Sequence, residues 1–195
     1  MIDAAIEDAK AGLRAVALKR RAAIDGSERA EAARAACEHF LGHVTPAPDQ
    51  VVAVYWPIRD ELDSRVLLTR LMDAGQPVCL PVVLGEELPL ELRLWEQGAP
   101  LYPSGFGTLA PDEAAPVVAP DIIVMPLLGF DGQGTRLGYG GGYYDRTLGM
   151  MAKRPRLIGL AYASQEFDSV PREPHDIPLS AVVTEAGYRQ FGGEG

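Results

Sequence analysis

The chain has 195 residues, 47% of them hydrophobic, which suits a single domain with a sizeable core and excludes general disorder. Its formal charge of −9 argues against nucleic-acid binding, which needs a basic surface, but leaves room for a nucleotide met by a few local cations and backbone N–H groups. No apolar run reaches the roughly 18 residues of a membrane-spanning helix, the first residues carry no signal-peptide pattern, and Cys37 and Cys79 have no metal-ligand spacing around them. A soluble cytoplasmic protein with small buried thiols is expected.

From Ile2, the residues Ile6, Ala9, Leu13, Val16 and Ala17 recur at helical steps and predict an amphipathic helix, with Lys10, Arg14 and Arg20 off its apolar face. Asp25 and Glu28 resemble a capping pair before a second, alanine-rich helix from Ser27 to Leu41, which Thr45, Pro46 and Pro48 stop. After Pro48 the texture changes to short apolar runs bounded by Pro and Gly: Val51 to Trp56, Val78 to Val83, Leu90 to Trp95, Ile122 to Met125, Leu157 to Tyr162 and Ala181 to Val183. These read as strands. A helix with Leu62, Val66, Leu67, Leu71 and Met72 inward and Gly75 near its end separates the first two, giving a β-α-β unit. The fold class predicted over residues 1–195 is α/β, a three-layer, largely parallel sheet flanked by helices and preceded by two N-terminal helices. The Pro-, Gly- and Ala-rich segment from Gly98 to Pro120 is long for a connection and marks either a functional loop or a mobile one.

The most informative stretch runs from Pro126-Leu-Leu-Gly-Phe-Asp131 through Arg136-Leu-Gly-Tyr-Gly-Gly-Gly-Tyr-Tyr-Asp145, between a buried strand and a helix predicted from Tyr143 to Met151. Glycines at a helix N-terminus let backbone N–H groups converge on an anion. Neither the P-loop nor the dinucleotide fingerprint fits, so spacing alone leaves a phosphate loop of no standard kind or a tight turn.

This stretch resembles the signature of 5-formyltetrahydrofolate cyclo-ligases. Lys10-Ala-Gly-Leu13-Arg14, Tyr55-Trp56-Pro57 with Glu61, and Glu173-Pro-His-Asp176 before Val182-Val-Thr-Glu185 are similar to other parts of that family, in order and spacing. The resemblance implies ATP-dependent conversion of 5-formyltetrahydrofolate to 5,10-methenyltetrahydrofolate through a phosphorylated formyl group, with Mg²⁺ as cofactor, ATP as co-substrate and these small-molecule substrates as partners. It implies a nucleotide site from Lys10 and Arg14, which share one helix face, together with Arg136, Leu137, Gly138, Tyr139, Gly140, Gly141, Gly142, Tyr143 and Tyr144. Arg136 and Tyr144 are the expected catalytic residues, Trp56 and Glu61 the expected folate contacts, and Asp145 and Asp176 the expected Mg²⁺ carboxylates.

Each role has a plainer alternative: an exposed basic helix face for Lys10 and Arg14, a loop salt bridge for Arg136, a helix cap for Asp145, and an acid favoured by a helix dipole for Glu61. His39 and His43, four apart, lack a third ligand and the zincin glutamate, so zinc is not expected there; His175 has a better claim to a site role. The chain departs from the family in carrying Ala110-Pro111 where relatives often have Glu-Pro. The competing readings are a non-catalytic folate- or nucleotide-binding regulator and a sugar-phosphate isomerase, for which no catalytic carboxylate is identifiable.

Overall fold

The structure is a computed structural model that describes residues 2–174 and 176–192. Two helices come first, α1 (Ile2–Ala22) and α2 (Gly26–His43). Asp25 caps α2 as expected: its carboxylate accepts from the Ser27 and Glu28 amides at 2.8 and 3.0 Å, and Glu28 reaches back to the Asp25 amide. Such a box stabilises the helix start by about 1 kcal/mol. There follow β1 (Val52–Val54), α3 (Arg65–Asp73), β2 (Val78–Val83), β3 (Leu90–Leu94), β4 (Tyr102–Pro103) and β5 (Leu109–Ala110). The chain continues with β6 (Ile122–Met125), β7 (Gly129–Phe130), β8 (Arg136–Leu137), α4 (Tyr143–Met150), β9 (Arg156–Leu160), β10 (Ala181–Thr184) and β11 (Gly187–Gln190).

Seven strands form one sheet in the order β11-β10-β9-β6-β1-β2-β3. The inner pairings β10–β9, β9–β6, β6–β1 and β1–β2 are parallel, and the edge strands β3 and β11 are antiparallel to their neighbours. The inner strands are apolar without alternation because both faces of the sheet are covered. On one face α2 and α3 pack through Ala33, Phe40, Leu67 and Leu71 onto Val52, Val54, Val124 and Ile158; on the other, Leu148 of α4 meets Ala53, Ile123, Met125 and Val182. This is the expected three-layer arrangement. Cys37 and Cys79 are buried thiols within these layers.

The connection from Gly98 to Pro120 holds the β4–β5 hairpin, whose two-residue strands are too short to show a period. β7, β8 and β11 were likewise not legible as strands. The largest correction concerns α1. Val16 is 44% exposed and Ala9 lies in solvent, whereas Lys10, Ala17 and Arg21 are buried. The face that α1 turns inward is partly charged, because it covers polar groups rather than the apolar sheet.

Candidate active site

The C-terminal ends of β1, β2 and β6 open into a cavity of about 650 Å³. The chain leaves β1 for β2 on one side and later returns to β6 on the other, the switch point at which open α/β sheets bind ligands. Tyr55 and Trp56 follow β1 into the cavity, Pro126 follows β6, and α1 and the glycine loop contribute further walls.

The structure brings Lys10, Arg14, Trp56, Glu61, Asp145, Asp176 and the run 136–144 together around this one cavity. Gly140 and Gly142 have φ of 96° and 65°, a region that favours glycine. Gly142 also caps α4 without a side chain, so the first amides of that helix receive no cap from it. Arg14 Nε donates to the Gly138 carbonyl at 3.0 Å and pins the loop to α1. A Cβ at Gly140 would stand 3.3 Å from Arg14 Cζ, so the loop passes close against the guanidinium. Leu137 borders the cavity, but its side chain is buried with Ala17, Leu128 and Val170 and anchors the loop.

Asp145 lies in the first turn of α4 and makes no capping bond; it forms a very short ion pair with Arg136. The capping alternative is therefore set aside, while the loop salt bridge considered for Arg136 exists alongside its cavity position. Arg136 Nε is buried with no partner among the described residues. Lys10 Nζ donates to Glu173 at 2.7 Å and Asp176 at 2.8 Å, which staples α1 to the C-terminal box. Burial pulls the Lys10 pKa down, but the hydrogen bonds and charges of Asp176 and Glu173 outweigh it and leave it raised. Lys10 and Arg14 thus do not form an exposed basic face.

Asp145 and Asp176 fit a Mg²⁺ ion carried in on phosphates better than a resident one. Mg²⁺ commonly takes one or two protein carboxylates, with phosphate and water completing the shell. Among the described residues no three His, Cys, Asp or Glu side chains gather as a metal group, and each of the two carboxylates is already met by a cation.

Glu61 is 8% exposed and precedes α3 by four residues, so the helix-dipole explanation for it fails. It is held in a turn: Oε2 accepts from the Ile58 amide at 2.9 Å and Oε1 from the Tyr139 hydroxyl at 2.6 Å. Burial pushes its pKa up, against the pull of Tyr139, the Ile58 amide and the charges of Arg21 and Arg59. Trp56 stands edge-on to Trp95 at 6.0 Å. Tyr144 is packed against the sheet, and its hydroxyl pKa is raised by burial first and then by the Glu61 charge, so it stays protonated.

Residues not anticipated also border the cavity. Phe106, 60% exposed with φ 60°, meets Tyr143 edge-on at 5.4 Å; its only sequence signal was a position between Gly105 and Gly107. Tyr55, in the Tyr55-Trp56-Pro57 segment that is similar to the family, is both core and cavity wall. Arg21 stands behind the wall with its guanidinium on Tyr139. Ala110 is buried in β5 and does not border the cavity. His175 lies outside the described residues, and His43 stacks on Tyr188 away from the site.

Comparison with known proteins agrees with this geometry. Residues 6–185 match the model of the 5-formyltetrahydrofolate cyclo-ligase family. The chain is 34% identical over 143 residues to the 5-formyltetrahydrofolate cyclo-ligase of Mycolicibacterium smegmatis, covering 69% of this chain and 73% of that one. With the Escherichia coli K12 cyclo-ligase it shares 31% identity over 175 residues, 85% of this chain and 94% of the relative. The solution structure of Aquifex aeolicus 5,10-methenyltetrahydrofolate synthetase superposes with a TM-score of 0.81 at 30% identity, covering 95% of each chain. With the signature segments converging on one cavity and the match running nearly end to end, the chain belongs to the 5-formyltetrahydrofolate cyclo-ligase family.

Proposed function

We propose that the protein, acting as one domain in the cytoplasm, converts 5-formyltetrahydrofolate to 5,10-methenyltetrahydrofolate with ATP as co-substrate and Mg²⁺ as cofactor, releasing ADP and phosphate. Family membership supports the reaction, and the observation that carries it is the content of the cavity. Of the cations that border it, Lys10, Arg14 and Arg136 stand with a glycine loop suited to phosphate, beside a buried acceptor, Glu61, and an aromatic wall, Trp56.

In this reading the formyl oxygen attacks the γ-phosphorus and ADP leaves, giving an iminium phosphate; N10 then attacks the formyl carbon and phosphate departs as the ring closes. Phosphoryl transfer asks chiefly for positioning and charge stabilisation, so no protein nucleophile is needed. Arg136 offers a planar fork of donors to the transferring oxygens, Lys10 and Arg14 hold the phosphate chain, and the loop amides approach it unobstructed. Mg²⁺ held by Asp145 and Asp176 would supply neutralisation of phosphate oxygens. In the structure the pairs Arg136–Asp145 and Lys10–Asp176 keep each of these carboxylates compensated by a cation. Glu61 accepts hydrogen bonds from the amino edge of the pterin, Trp56 gives it an aromatic face, and the protonated Tyr144 hydroxyl is a donor within the same cavity.

The test is the growth of methenyl-folate absorbance on mixing the protein with 5-formyltetrahydrofolate, ATP and Mg²⁺. Binding of both ligands without product would replace the enzyme with a non-catalytic regulator.

A further inference from the structure

Arg21 is 1% exposed and lies eleven residues after Lys10, three turns along the inward face of α1. A cation buried this deeply is costly unless it is compensated. Its NH1 donates to the Tyr139 hydroxyl at 2.7 Å and its guanidinium stands 5.6 Å from the centroid of that ring. The same hydroxyl donates to Glu61 Oε1 at 2.6 Å. Arg21 does not border the cavity, so its charge reaches a ligand through Tyr139 and Glu61. Tyr139 itself belongs to the glycine loop, between Gly138 and Gly140.

We propose that Arg21 and Tyr139 are positioning residues that keep Glu61 ionised and fix the direction of its carboxylate, with Tyr139 tying the phosphate loop to the folate-contacting acid. The identity of the ligand rests on the functional reading above. The groups that face Glu61 are few. Arg21 comes from α1, Tyr55 and Arg59 from the segment after β1, Tyr139 from the loop, Tyr144 from α4, and Tyr162 lies past β9 with its hydroxyl 3.5 Å from the Glu61 carbonyl. Asp60, beside it in sequence, is paired with Arg29. The tyrosines remain neutral because burial raises their hydroxyls, so Arg21 and Arg59 are the cations that oppose the burial of Glu61. Of the two, Arg21 alone is linked to it by a chain of hydrogen bonds, and Arg59 is exposed.

The experiment compares wild type with Tyr139→Phe and Arg21→Met. Carbon NMR of labelled glutamate carboxyls, with Glu61 assigned through Glu61→Gln, follows its titration in the ligand-free protein; equilibrium binding of 5-formyltetrahydrofolate and of ATP is measured across the same pH range. Both variants should raise the Glu61 midpoint by about one pH unit. The acid-side loss of folate binding should move up with it, and in Arg21→Met, whose changed residue lies outside the cavity, ATP binding should change less than about twofold. Tyr139 is 38% exposed and its ring is kept, so Tyr139→Phe decides the matter if Arg21→Met does not fold. An unchanged Glu61 midpoint in folded Tyr139→Phe overturns the proposal, as does a shifted midpoint that folate binding ignores. Wild-type protein that neither binds nor converts the folate sinks the functional reading instead, and the Glu61 midpoint still decides the relay.

Discussion

The Lys10 staple predicts a large and specific effect of Lys10→Met. The ammonium is 7% exposed and donates at 2.7 and 2.8 Å to two carboxylates that are themselves only 15% and 17% exposed. Removing it leaves those charges facing a methionine of similar length. Breaking a buried pair from one side typically costs about 3–5 kcal/mol. Here the lower end applies, since solvent reaches the carboxylates and the Glu173 amide still donates to Asp176 at 2.9 Å. A loss of about 3 kcal/mol corresponds to a drop in Tm of about 6–12 °C for a chain of this size. The sign with pH follows from the raised Lys10 pKa: the staple is fully present below the unfolded value of 10.5 and is lost only as pH rises through the higher folded value. The deficit of the variant should therefore stay flat between about pH 6 and 9. Thermal unfolding of both proteins across that pH range measures the loss and its dependence on pH. A loss under about 1 kcal/mol, in the range of an exposed pair, would refute the reasoning.

Arg136→Lys keeps the charge but loses the planar fork, so kcat should fall about 10²-fold with little change in folate binding, measured by single-turnover product formation beside equilibrium binding; wild-type rates would reduce Arg136 to a loop salt bridge. Gly140→Ala places a Cβ at φ 96° and against Arg14, costing about 1–2 kcal/mol of stability and weakening ATP about tenfold while sparing folate, as denaturant unfolding and titration calorimetry will report. Both cysteines are buried and the Cys79 thiol is pushed up to about 12, so a thiol reagent near neutral pH should label neither residue in the native protein and both after unfolding; rapid native labelling of Cys79 contradicts the packing.

The sequence by itself determined the elements that local rules govern. The strands Val78–Val83 and Ile122–Met125 carry their bounds in the sequence because a parallel strand buried on both faces is a continuous apolar run, and α2 starts where Asp25 and Glu28 say it must. The site residues were legible through a resemblance spread over four segments, not through spacing, which left the glycine run open between an anion site and a turn. Tertiary structure alone decided the rest. Hydrophobic periodicity placed the inward face of α1 only in part: Leu13 and Ala17 pack inward, but Ala9 and Val16 do not, since the rule assumes that what is buried is apolar, whereas Lys10 and Arg21 are buried against carboxylates and a tyrosine hydroxyl far away in the chain. The partners of Glu61 depend on a contact between residues 61 and 139, and those of Lys10 on one between residues 10 and 176. Such pairings are set by where the sheet order brings the strand ends together, a long-range property that no local pattern encodes.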